Sequence, residues 1–178
     1  MKRGVSRRGQ VWIETVIYTL IALALIATVF SFVKPKIQQM QDKAIIEQTI
    51  VMMENINEMI HSIDEGGQSN QRVLDLGISK GRLFINKDKN DTLVFEIDSA
   101  DTFSEPGVDI PYGSIYIYTN KIGKNNKVYL TLNYNGIYNI TFDDSDNEKI
   151  INKASTPYRL FLSNKGGSPK TNINFIFA

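Results

Sequence analysis

The chain contains no cysteine, and that one absence removes disulfide staples, thiolate metal ligands and cysteine nucleophiles together. Histidine is almost as scarce: His61 is the only one in 178 residues, which leaves little for acid–base chemistry near neutral pH. A Gly-rich phosphate loop, a His-x-x-x-His pair and a serine in a nucleophile elbow are also missing. The patterns that support a catalytic assignment are therefore absent, and the expectation is a protein that is not an enzyme and uses no cofactor or metal. Nor is there a basic stripe. Four of the 20 basic residues (Lys2, Arg3, Arg7, Arg8) fall in the first nine positions, and the remaining 16 face 19 acids, a balance of −3. That remainder has no electrostatic footprint for nucleic acid. There is no internal repeat and no low-complexity tract.

What the chain does have is one long hydrophobic run directly behind the basic stub. Residues 11–33 would extend ~34 Å as a helix, slightly more than the ~30 Å hydrocarbon core of a bilayer. Four positive charges precede the run, while Lys34 and Lys36 follow it. The heavier cluster favours the cytoplasm, which sends the C-terminal part outside. A secretory signal would have a short apolar stretch closed by small residues. Ala22-Leu23-Ala24 offers that pattern, but the apolar run continues nine residues beyond it to Val33.

Within this run stands Glu14. A plain membrane anchor explains the length and the charges but leaves an unpaired carboxylate facing lipid, at a cost of a few kcal/mol by insertion scales of ~2.5–3.5 at the bilayer centre. A long polar side chain this close to a helix end can also snorkel to headgroup water, so two accounts of Glu14 stand side by side. The junction Arg7-Arg8-Gly9-Gln10-Val11-Trp12-Ile13-Glu14 resembles the class III signal of type IV pilin-like proteins, especially archaeal ones. That resemblance covers roughly the first 35 residues. It implies a basic leader ending at Gly9, with Arg7 and Arg8 as its recognition residues. A prepilin peptidase would cut on the cytoplasmic side, Gln10 would become the new N-terminus, and Glu14 would be the fifth mature residue. Trp12 stands where the archaeal pattern prefers serine. Cleavage would create an α-amino group at Gln10, with an unperturbed pKa near ~8 and hence largely charged at neutral pH. Glu14, one helical turn on, supplies the opposite charge, and pairing the two within or between subunits offsets the cost of burying either alone.

After Val33 the pattern becomes amphipathic: Ile37, Met40, Ala44, Ile45, Val51, Met52, Ile56, Met59, Ile60 and Ile63 recur mostly at steps of three, four and seven among polar residues, which predicts a helix with one apolar stripe. Pro35 removes a helical hydrogen bond and is expected to kink the helix or melt it locally. Gly66-Gly67-Gln68-Ser69-Asn70 ends it. Met40, Met52, Met53 and Met59 read as adaptable packing rather than a soft-metal site, which would also recruit cysteine or histidine. His61 reads as a surface or helix-end residue.

From Val73 the period changes to two. Short β-branched and aromatic runs at 83–85, 93–97, 115–118, 128–132, 137–142, 160–162 and 173–177 predict an antiparallel sheet of about seven or eight strands. One face, with Leu130 and Leu132, is expected to cover the helix stripe. Asn135-Gly136 predicts a two-residue type I′ hairpin. Asp143-Asp144-Ser145-Asp146-Asn147-Glu148 offers oxygen ligands for Ca²⁺ but lacks the glycine and 12-residue spacing of an EF-hand, so it reads as a solvated loop. Two N-x-S/T sequons occur, at Asn90 in a turn and Asn139 in a strand, and either would carry glycan outside the membrane. Seven of the eight tyrosines lie in this region, where cross-strand pairing accounts for them without a ligand.

These readings give an α+β chain: a leader at 1–9, a long helix at 10–65 (10–33 membrane or filament core, 34–65 amphipathic), a linker at 66–72 and a β-rich head at 73–178. With the resemblance they imply a subunit of a type IV pilus-like filament used for adhesion or as a surface appendage. It would be a single-pass membrane precursor with a cytoplasmic N-terminus, later found in an extracellular filament or at the cell surface. Its partners would be copies of itself or related pilins, the prepilin peptidase and the assembly machinery, and the membrane before assembly. The alternative is a membrane-anchored extracellular binding module that uses a pilin-like leader only as a tether.

Overall fold

The computed structural model describes residues 7–123 and 125–178, with side chains described from Val11 onward. One helix, α1 (Arg7–Glu65), opens the chain. Ten strands follow: β1 (Gln71–Leu76), β2 (Arg82–Ile85), β3 (Thr92–Ser99), β4 (Asp109–Tyr112), β5 (Ile115–Ile122), β6 (Asn125–Asn133), β7 (Tyr138–Phe142), β8 (Lys149–Asn152), β9 (Tyr158–Gly166) and β10 (Thr171–Phe177). The α+β class is thus observed, and the chain divides into two compact units, residues Met1–Gln39 and Met40–Ala178.

In the first unit the helix assignment continues through Pro35, so the expected local melting does not occur. A proline inside a helix costs ~3 kcal/mol, and here intact turns run on both sides of it.

In the second unit α1 buries a narrow stripe. Asp42, Ile46, Thr49, Met53, Ile56, Ile60 and Ile63 are all under 8% exposed, alternating steps of four and three as an apolar seam requires. This corrects the expected stripe, which mixed two faces: Val51 is 56% exposed and Met40 72%, while Ile46, Ile50 and Met53 lie inside. Gly67, at φ +76°, takes the left-handed conformation that stops the helix, its N–H donating to the Asp64 carbonyl at 2.9 Å.

The head contains two sheets, not one. The first has the order β1-β9-β10-β7 and the second β4-β5-β6-β3-β2-β8. All pairs are antiparallel except β7 with β10, which the chain reaches only after passing through β8 and β9, as a parallel pair demands. The Asn135-Gly136 hairpin is also corrected. The turn exists, with the Ile137 N–H donating to the Tyr134 carbonyl at 2.8 Å and Gly136 at φ +85°. Yet β6 and β7 do not pair, because β6 already has β3 on one edge and β5 on the other. The turn therefore carries the chain from one sheet to the other. Strands β1, β4 and β8 are additions to the expected set. Leu160, Leu162, Ile173 and Phe175 from the first sheet and Leu93, Phe95, Leu130 and Leu132 from the second join the helix stripe in one core.

Candidate functional site

The described part of the apolar helix is its own most unusual surface. Every side chain of residues 11–38 is exposed, with Trp12 at 71% and Phe32 at 72%, and the helix is long and apolar enough to cross a membrane by length and composition. Its threonine and serine hydroxyls are satisfied internally: Thr15, Thr19, Thr28 and Ser31 each donate to the carbonyl four residues back at 2.8–2.9 Å. Such back-bonding lets hydroxyls sit in hydrocarbon. Glu14 cannot bond back in this way, because a carboxylate accepts hydrogen bonds and the helix carbonyls offer no donor. Tyr18 lies four residues on and shares its face, while Trp12 lies two back. All three fall within about 10 Å of helix axis, at the end where amphipathic aromatics mark a membrane interface.

The backbone of Arg7, Arg8, Gly9 and Gln10 is helical, and the side chains of these four lie outside the described residues, as do Lys2 and Arg3 entirely. The helical register nevertheless places Glu14 one turn from Gln10. Because helix Cα–Cβ bonds tilt toward the N-terminus, the Glu14 side chain leaves the helix on the side of that turn. Pro35 is an exposed residue inside the helix.

Asn90 follows the 3-10 turn Lys87–Lys89 and is exposed. Asn139 is half-buried in β7, aligned with Asn172 of β10. Its sequon threonine, Thr141, is 2% exposed, and the hydroxyl lies 2.9 Å from both Asn172 Oδ1 and Asn174 Oδ1. Only Asn90 is presented in a form that a modifying enzyme can reach on the folded chain. The acidic loop is held by side chains from outside it: Lys165 pairs with Asp144 at 3.1 Å, and Asn174 Oδ1 accepts the Asp144 N–H at 2.9 Å. Three of the four helix methionines pack as expected, Met53 fully buried with Met52 and Met59 against the core, whereas Met40 is exposed.

Three polar devices in the head escaped the sequence. Asp42, 3% exposed, accepts hydrogen bonds from the Lys80 ammonium and from the Ala100 N–H, the latter at 2.8 Å. Glu96, 8% exposed, accepts from Lys127 at 2.6 Å and Arg82 at 2.9 Å. Burial alone raises its carboxyl pKa, but the two cationic hydrogen bonds together outweigh burial and hold it below the ordinary value of 4.5. Near the end of α1, the Tyr138 hydroxyl donates to Asp64 at 3.1 Å and lies 3.1 Å from His61 Nδ1. Burial and then the Asp64 charge push the phenol up to about 12. These contacts join residues 14 to 77 positions apart, and no local pattern encodes them.

Comparison of the chain with protein-family models, with curated proteins and with solved structures finds no match.

Proposed function

We propose that the chain is a structural subunit of an extracellular filament of type IV pilin type. In this reading it is made as a membrane-inserted precursor with its N-terminus in the cytoplasm, trimmed after Gly9, and stacked through the apolar part of α1. The observation that carries it is an apolar helix whose side chains are all exposed from Val11 to Gln38, whose threonine and serine hydroxyls bond back to the helix, and whose one carboxylate, Glu14, has no hydrogen-bond partner among the described residues. A helix packed against copies of itself loses that exposure. A new amine at Gln10, on the same subunit or the next, gives Glu14 an opposite charge to pair with.

N-terminal sequencing of protein sheared from cells tests this. A start at Gln10 in a high-molecular-weight fraction supports the filament. An intact Met1 retained in membranes overturns it, and a cleaved chain found only as dispersed membrane monomers would identify a tethered binding module instead.

A further inference from the structure

The six-stranded sheet turns one face to the core and the other outward. On the outward face β5 and β6 place Tyr118 directly opposite Tyr129, with ring centroids 6.1 Å apart and planes at 44°. Asp109 of β4 continues that row beyond Tyr118. These residues border an open groove of about 540 Å³, within the size range of small-ligand sites. It runs from β3 across β6 and β5 to β4, three strand spacings or about 14 Å.

The two groove tyrosines differ from those that hold the fold. Tyr134 and Tyr138 are buried, and their hydroxyls donate to Asn57 and Asp64. Tyr118 and Tyr129 are half-exposed, and their hydroxyls have no hydrogen-bond partner among the described residues. Cross-strand pairing explains why two rings sit side by side. It does not explain why polar side chains ring them. Lys87 and Asn90 stand at one side of the groove and Asn120 and Asp109 at the other, with the Thr131 hydroxyl and Val94 between. The Lys87 ammonium is held in place over two rings, 4.8 Å from the Phe84 centroid and 5.3 Å from Tyr129.

We propose that this groove binds a neutral oligosaccharide. Aromatic faces receive the apolar C–H face of a pyranose ring, while amides, a carboxylate and hydroxyls at the margins answer its hydroxyl groups, which are donors and acceptors at once. Charge disfavours anionic competitors: with Lys87 against Asp88 and Asp109, the lining is slightly acidic and offers no basic stripe for nucleic acid or acidic glycans. The length of the groove suits a short chain of sugars rather than one. Burial raises the Tyr129 phenol, with the Glu96 charge adding to it, so its hydroxyl remains a donor. The assignment holds whether or not the chain assembles into filaments.

The test uses the full chain, made in a host without N-glycosylation so that Asn90 is bare, in a detergent without a sugar headgroup. Saturation-transfer difference NMR reads binding of neutral oligosaccharides built from hexose and N-acetylhexosamine units. At least one should bind, and Tyr118→Ala and Tyr129→Ala should each weaken it about tenfold or more, equivalent to ~1.4 kcal/mol. Tyr118→Phe keeps the ring and should bind within a few-fold of the parent, which separates lost stacking from misfolding. Tyr112→Ala removes an exposed tyrosine on the opposite face of the sheet and should bind as the parent does. The proposal fails if no sugar binds, if binding survives loss of both tyrosine rings, or if a proline-rich peptide saturates the groove where every sugar fails.

Discussion

Replacing Glu14 by alanine separates a paired carboxylate from one that simply reaches water. If the Gln10 amine and the Glu14 carboxylate are buried together between packed helices, removing the acid leaves a buried ammonium without a partner. Breaking a buried ion pair from one side costs ~3–5 kcal/mol. At 1.4 kcal/mol per tenfold, the concentration needed for assembly rises roughly 10²- to 10³-fold or more. The monomer changes in the opposite sense. An exposed carboxylate on an apolar helix opposes insertion by up to ~3 kcal/mol at the bilayer centre and less near an interface, so Glu14→Ala should accumulate in membranes at or above the parent level. The assay is the ratio of sheared filament to membrane protein, quantified by immunoblot at matched expression. Glu14→Gln, isosteric but neutral, should fail as alanine does, whereas Glu14→Asp keeps the charge on a shorter stem and should assemble partially. Normal filaments from the alanine variant would refute the pairing and leave the headgroup account, in which Trp12 and Tyr18 mark an interface and Glu14 is already solvated.

Other predictions concern the head. Ile56 is fully buried and Val51 is 56% exposed, so Ile56→Ala should cost ~2–5 kcal/mol while Val51→Ala stays within ~0.5 kcal/mol in denaturant melts; equal effects would overturn the assigned helix face. Glu96→Gln should cost ~1–3 kcal/mol at pH 7, less than a fully buried pair because Arg82 is partly exposed. The Glu96 pKa is depressed in the folded chain, so its stabilisation is present above the ordinary value and is lost as pH falls through the folded one. Parent and variant should therefore converge in thermal melts as the pH is taken well below 4.5, and a gap that persists there would refute the ion-pair account.

Legibility in the sequence followed the range of each interaction. Periodicity along one segment places α1 and seven of the strands, because a helix or strand writes its own period into adjacent residues. It did not find the phase of α1: apolar residues occupy two faces near Val51 and Met52, and only the sheets decide which face is covered. Strands β4 and β8 have four residues each and bury only Ile151 between them, so little apolar pattern marks them, whereas the equally short β2 buries three of its four. The split into two sheets was invisible for a related reason. Asn135-Gly136 encodes a turn, but whether its flanking strands pair depends on β3 and β5 reaching the edges of β6 first, and both are distant choices. Glu14 shows the reverse case. One residue against a uniform background is conspicuous in sequence, and the structure adds that the neighbouring threonine hydroxyls bond back to the helix while Glu14 has no hydrogen-bond partner among the described residues.

Asp42 is where the two regimes of the helix meet. From residue 11 to 38 no side chain is buried, and Asp42 is the first residue of the buried seam. A carboxylate in that seam is costly unless it is paired, and the Lys80 ammonium and Ala100 N–H supply the pairing from two separate segments of the head. The contact therefore fixes the point beyond which the helix belongs to its own head and before which its surface is available to something else. Hydrogen bonds to a charged group contribute ~1.5–3 kcal/mol each, so Asp42→Ala should cost a few kcal/mol locally. Hydrogen exchange should show this as lost protection at residues 42–50, with the seam from Ile56 to Ile63 little changed. Lys80→Ala should reproduce part of the effect, because the Ala100 N–H still binds the carboxylate. If protection falls evenly along the whole of α1, the boundary is not set at Asp42 and the helix is held by its apolar seam alone.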